Sequence, residues 1–417
     1  MNVGTVIEPE VTKRQSAVRE PRRGAWLESL HSLVEVISSL RLTVVLLCLG
    51  VVLVFIGTLA QREEGLLAAQ NRYFRSLLIW WTPTEGHWRF PVFPGGYLIG
   101  GVLLVNLLAA HARRFKFTKK KIGIFVIHAG IVLLILGQFA TDLLSKESGM
   151  RLYQGETRNY SEAFRENELV IIDTSDPQHD RVYAIPDSRL AKGAAVRDQR
   201  LPVVVRVNEH WANADLVATR AEGTIESGAT DGALKAAFVV PRPRVTDTDN
   251  RNLPAAVVEL AAQTGPVGKF LVWTGTTNRQ QLSLNGKTYE IALRFTRHYY
   301  PFSLTLLKAT HEQYKGTDIP KNFASRVRLE NPSTQEARET VIYMNNPLRY
   351  AGLTFFQYQM TAGEMAAKAG LRPSSVLQVV HNPSWLTPYF SCVMVAAGLV
   401  IQFMSHLIGF AKKRRTA

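Results

Sequence analysis

The sequence predicts a membrane protein with four transmembrane α-helices and one large, mainly β extracytoplasmic domain between helices 3 and 4. Three observations carry that prediction. Residues 42–60, 92–112, 122–141 and 386–410 contain no Asp, Glu, Lys or Arg, and each run is about as long as the ~20 residues a helix needs to cross a ~30 Å hydrocarbon core. More than 240 residues of ordinary globular composition separate the third run from the fourth. Finally, the basic residues gather beside these runs on one side, which is the pattern of cytoplasmic loops.

Taken in order, residues 1–40 form a cytoplasmic segment. Its first 24 residues are polar and expected to be disordered. Trp26, Leu30, Leu33, Val34 and Ile37 then recur at helical spacing, as in an amphipathic helix lying on the membrane surface with His31 on its solvated side. Residues 41–144 hold three spans, at about 42–60, 92–112 and 122–143. The first starts too far from the N-terminus for a typical cleaved signal peptide and reads as a retained anchor. The loop after it carries Tyr73, Trp80, Trp81 and Trp88, which suit a membrane interface; His87 beside them reads as an exposed residue. A basic loop, RRFKFTKKK, joins spans two and three as a tight hairpin. Within the third span Gly123, Gly130 and Gly137 recur every seven residues, a stripe that lets a second helix approach closely.

Residues 145–385 read as a periplasmic β-rich domain. Runs such as LVIID, AAVVEL, KFLVW and KTYEIALRF are rich in β-branched and aromatic residues and bounded by Gly, Pro, Asn and Asp. Asn285-Gly286 marks a tight hairpin, and the lack of regular βα alternation favours a sandwich-like or open β-fold over a doubly wound sheet. Residues 229–236 and 363–369 read as loops or short helices. Residues 386–410 form the fourth span, and 411–417 are a basic cytoplasmic tail.

The net charge of +15 raises nucleic-acid binding, but its distribution argues against it. Residues 1–41, 112–121 and the segment after Phe410 hold sixteen Lys and Arg against five Glu, a net +11 of the total. The basicity is therefore the positive-inside signal and not a phosphate-binding face. The two cysteines, Cys48 and Cys392, both lie in predicted spans, so the β-domain has no disulfide. The chain has no C-x-x-C for thiol exchange and no C-x-x-C-H for covalent haem attachment. G-x-S-x-G, H-E-x-x-H and Walker-type glycine loops are also absent from the sequence.

Histidines remain as the candidate functional residues. His128 lies inside the third span, about 10 Å along the helix from Lys121 and so in its cytoplasmic half. An ionisable group there marks either a ligand site or a helix-packing contact with a neighbouring carbonyl. His406 in the fourth span falls at a similar depth, and His111 ends the second span nearer the surface. In the β-domain, His298 (in RHYYPF) and His381 (in VVHNPSW) are the weaker candidates.

Several blocks, taken together, resemble one family. They are SLRLTVVLLCLGVVLVFIGTLAQ in the first span, HAGIVLLILG in the third, YKGTDIPKNFASRVRL in the domain, and YMNNPLRYAGLTFFQYQM followed by SSVLQVVHNPSWLTPYFSCVMVAAGLVIQF at its end. Their order and spacing are similar to those of the ResB (CcsB) family of System II cytochrome c biogenesis proteins. The resemblance implies a subunit that works with a CcsA (ResC) type membrane protein to move haem b across the membrane and present it to apocytochrome c for covalent attachment. It also implies that His128, which best matches the family's intramembrane histidine, is one axial ligand of a haem held transiently and shared with the partner. No other metal site is expected. Trp80 and Trp81 lack the glycine and aspartate context of the WWD motif of the haem-presenting partner, so presentation is expected from that partner, and reduction of the apocytochrome thiols from a separate thioredoxin-like protein. The alternative is a membrane-anchored scaffold that binds the partner or apocytochrome without touching haem.

Overall fold

The computed structural model describes residues 32–83, 88–114, 118–247, 250–276, 278–284, 286–314, 320–368 and 370–416. Among the described residues four helices are long and apolar enough to cross a membrane: α1 (Leu40–Glu64), α2 (Gly96–Arg114), α3 (Ile122–Leu144) and α4 (Thr387–Thr416). The chain divides into two compact units, and α1, α3 and α4 each contribute to both.

The first unit comprises residues 1–56, 72–128 and 398–417. Leu46 and Leu53 of α1 bury against Ile99 of α2 and Ile79 of a small hairpin, β1 (Leu78–Trp81) with β2 (Phe90–Pro94). That hairpin corrects the expected start of the second span. Residues 92–94 are strand, because Pro91 and Pro94 withhold the N–H groups a helix needs, and α2 begins only at Gly96. Gly95 and Gly96 pass so close to the Ser76 and Phe74 carbonyls that a Cβ at either would collide with backbone. Of the expected amphipathic surface helix, residues 32–37 are helical; Trp26, Leu30 and His31 lie outside the described residues, as does His87. The chain breaks between this helix and α1 at Ser38–Ser39, and Asn106 of α2, only 1% exposed, closes the break. It donates to the Ile37 and Ser39 carbonyls and accepts from Thr43 Oγ1 at 2.6 Å. The Ile37 carbonyl, left without a helical partner at the break, is thereby satisfied in an apolar setting, and the Ser39 carbonyl gains a donor beside the Thr43 amide. Gly123 of α3 lies against α4, and a Cβ there would sit 2.7 Å from both the Gly398 carbonyl and the Gln402 amide nitrogen.

The second unit comprises residues 57–71 and 129–397. The glycine stripe continues in it: Gly130 lies against Ser391 and Val395, and Gly137 against Thr387. Thr141 Oγ1 meets Ser384 Oγ at 2.8 Å where the domain's last strand returns to α4.

Between α3 and α4 lies the β-domain. Its main sheet runs, from one edge, β12 (Glu336–Tyr343), β11 (Pro320–Asn331), β10 (Lys287–Gln313), β4 (Thr157–Asp173), β3 (Lys146–Tyr153), β15 (Ser374–His381), β14 (Leu353–Thr361) and β13 (Leu348–Tyr350). Two further strands attach to it, β5 (Arg181–Pro186) on β4 and β9 (Gln280–Leu284) on β10. A second sheet joins β8 (Gly265–Trp273), β7 (Ala255–Ala262), β6 (Val204–Trp211) and a short strand at Ala195–Val196. β9 and β10 form the tight hairpin marked at residues 285–286: Leu284 pairs with Lys287, and Gly286 supplies the positive φ of 75°. Asn285 itself is outside the described residues.

The longest strand, β10, serves two cores. Its first half and β4 pack Ile291, Leu293, Leu169 and Ile171 against Val205, Val258 and Val272 of the second sheet. Its second half buries Leu304 and Leu306 with Met150, Phe355, Leu377 and Val379, where the main sheet curls round. Each such side chain contributes about 1.5–3 kcal/mol on burial. Leu169 to Ile172 are all buried, which explains why LVIID is continuously apolar instead of alternating. Residues 229–236 form turns and Gly363–Lys368 a short helix.

Candidate functional site

α2 and α3 are joined by the basic loop and a single 3-10 turn at Lys119–Lys121. This connection brings His111, in the last turns of α2, beside His128, six residues into α3. His111 Nδ1 lies 3.1 Å from the Leu107 carbonyl one turn back on its own helix. His111 Nε2 lies 3.0 Å from His128 Nδ1, and the two rings meet edge-on with centroids 4.5 Å apart and planes at 77°.

These contacts fix the proton positions of two neutral rings. A carbonyl only accepts, so His111 Nδ1 donates to Leu107. A neutral imidazole carries one N–H, so His111 Nε2 has the lone pair and His128 Nδ1 must donate to it. His128 Nε2 is left as an unprotonated nitrogen with no hydrogen bond among the described residues. That is the state in which imidazole binds a metal centre, with its other nitrogen oriented by a hydrogen-bond acceptor. The pair does not serve as two opposite ligands of one iron in this arrangement. Such nitrogens sit about 4 Å apart, twice a metal–imidazole bond of about 2 Å, with both lone pairs aimed at the metal, whereas here one ring donates to the other.

The other candidates are not drawn to this pair. His406 Nε2 accepts from Gln402 Nε2 at 2.8 Å on its own helix. His381 is exposed at the end of β15, opposite Lys146. His298 pairs with Ser161 in the β4–β10 ladder. Of the histidines not singled out from sequence, His210 bonds Asp187 at 2.9 Å, and His311 stacks on Phe323 with its Nε2 buried and unpartnered. Among the described residues no group of three or more His, Cys, Asp or Glu forms a metal site. Cys48 and Cys392 are free, on α1 and α4.

Sequence reasoning weighed His111 and His128 separately and missed that they touch. The signal was present in the tight hairpin, which returns the end of one span along the start of the next.

The family model for the ResB-like family matches residues 110–373, from the residue before His111 through α3 and most of the β-domain. The chain belongs to the ResB-like family. Over 308 residues it is also 25% identical to Protein NrfI of Wolinella succinogenes, an alignment that takes in 72% of this chain and 29% of that protein. The chain thus spans less than a third of the length of this curated relative. Membership of the ResB-like family, with four apolar helices among the described residues, makes this a membrane protein.

Proposed function

We propose that this chain is the ResB-type subunit of a System II cytochrome c maturation complex, and that His128 Nε2 is one axial ligand of the haem that the complex carries as cargo. The observation that carries this reading is the Leu107–His111–His128 hydrogen-bond chain, which leaves one bare imidazole nitrogen in a membrane helix. In such a setting a neutral nitrogen binds iron without burying a charge. Haem iron supplies the acceptor orbital, and the protein's part is to hold the ring, its tautomer and its depth. α3 sets the depth, and His111 sets the tautomer.

The second axial ligand and the face that presents haem to apocytochrome c belong in this reading to a CcsA/ResC-type partner. The chain's two thiols lie in the membrane helices α1 and α4, so reduction of the apocytochrome cysteines falls to a separate thioredoxin-like protein. The basic loop and the basic end of α4 face the cytoplasm of a bacterial inner membrane, and the β-domain faces the periplasm, where it docks the partner or the apocytochrome.

The test is to purify the complex with His128→Ala. Haem should be lost from it, and covalent maturation of c-type cytochromes should fail in cells. A normal Soret band with full maturation would leave the chain as a scaffold whose histidine pair only packs α2 against α3.

A further inference from the structure

The β-domain holds a second polar feature that the haem reading does not use. Arg251, in the loop that leads into β7, reaches across the outer face of the main sheet. Its guanidinium lies between two rings, with Cζ 4.8 Å from the Phe164 centroid and 4.9 Å from that of Phe295. The sheet makes room for it at Gly149 of β3, where a Cβ would come within 3.4 Å of Arg251 Nη2 and 3.2 Å of Phe164. The loop is held on both sides: the Val245 amide donates to Asn252 Oδ1 at 2.8 Å, and the Leu253 amide donates to Asn213 Oδ1 at 2.9 Å. Arg165 Nη2 ties it to β4 through the Asp247 carbonyl at 2.8 Å.

The Arg251 guanidinium carries five N–H donors, and no acceptor among the described residues takes them. Among the described residues the nearby charges do not balance it either. Arg151 and Arg165 repel it while Glu162 attracts it, but the Glu162 carboxylate already accepts from Arg297 Nε at 3.0 Å. Glu147, also on β3, accepts from Gln378. Partial burial, before these charges, pushes the Arg251 guanidinium below its ordinary value, the direction expected of a cation taken partly out of water. Tyr358, 5.8 Å from Phe164 between ring centroids and 40% exposed, extends the aromatic border outward.

We infer that Arg251, flanked by Phe164 and Phe295 and assisted by Arg151, is a binding site for the carboxylate of a small ligand with a flat apolar body. A guanidinium fork pairs with a carboxylate in two parallel hydrogen bonds, and the aromatic border covers an apolar ring attached to it. Nothing in this site depends on His128.

The experiment uses the full chain in phospholipid nanodiscs, with 2-naphthoate as probe followed by fluorescence anisotropy. Saturable one-site binding is expected, weakened at least about tenfold in Arg251→Gln, as loss of a charge-assisted hydrogen-bond pair implies. Arg151→Gln should weaken it less, and Arg349→Gln, whose guanidinium stacks on Trp385 elsewhere, should leave it unchanged. The uncharged analogue 2-naphthol should bind at least about tenfold more weakly than naphthoate. Arg251→Lys keeps the charge but not the fork; a folded Arg251→Lys variant with weakened binding carries the same conclusion if Arg251→Gln does not fold. Absence of saturable binding, equal binding by the Arg251 variants, or equal binding of 2-naphthol would overturn the site.

Discussion

The two sides of α3 are built on opposite principles. Toward α4 it presents glycines every seventh residue: Gly123 meets the Gly398 and Gln402 backbone, and Gly130 and Gly137 lie against the Val395 and Thr387 side chains. Toward α2 it presents an imidazole that meets another imidazole through one hydrogen bond of 3.0 Å. At Gly123 the first contact leaves no room for a Cβ beside that backbone. The second can be rebuilt by any side chain with an acceptor in the right place. The tight seam fixes where α3 lies, and with it the position of the His128 nitrogen.

The largest effect should come from breaking the tight seam. Gly123→Leu forces a side chain into the Gly398 and Gln402 backbone and should cost about 3 kcal/mol or more, seen as a collapse of the yield and thermal stability of purified protein. Gly130→Ala, which meets the movable Val395 methyl as well as the Ser391 carbonyl, should cost less, about 1–2 kcal/mol.

The polar side should respond to chemistry more than to volume. In the haem-loaded complex, His111→Leu removes the acceptor that orients His128 and should weaken haem retention about ten- to a hundredfold, the usual cost of losing such a partner. His111→Gln, which can accept through Oε1, should restore most of it. The two variants should melt within about 1 kcal/mol of each other. Equal haem loss in both would assign His111 a packing role only.

Asn106→Leu lies between these cases. It strands the Ile37 carbonyl and removes one partner each from the Ser39 carbonyl and the Thr43 hydroxyl, which keep their contact with each other, and should cost about 1–2 kcal/mol in thermal unfolding.

The smallest effect is a surface one in the β-domain. Hydrogen bonds from the Arg200 side chain and amide, the former first, lower the Asp198 carboxyl to about 2. A depressed carboxyl stabilises the fold above its ordinary value of 3.8 and loses that contribution as pH falls toward about 2. Arg200→Gln should move the carboxyl titration, followed by NMR, back toward the ordinary value and remove that acid dependence, with little change at neutral pH.

Much of the architecture was legible because it rests on patterns within a single segment. Charge-free runs marked the four helices, runs rich in β-branched and aromatic residues marked β4, β7 and β10, and residues 285–286 marked the β9–β10 hairpin. Even the packing of α3 was foreshadowed by the spacing of Gly123, Gly130 and Gly137. The start of α2 was misread because hydropathy does not register that Pro91 and Pro94 hold the preceding residues in a hairpin. The contacts of the candidate sites were not legible at all. His111 and His128 each looked like a solitary polar residue in an apolar helix, and only the turn between them joins them. Arg251 sits in an undistinguished loop, and its setting is made by Phe164, Phe295 and Gly149, contributed by three different strands.

The central claim is that the His128 imidazole itself ligates haem iron. Its most direct test is the electron paramagnetic resonance spectrum of the purified complex with His128→Gly, recorded before and after imidazole is added. The account predicts that the low-spin signal of the wild-type haem disappears in the variant and returns with free imidazole filling the vacated place. A wild-type low-spin signal in the variant without imidazole would contradict it.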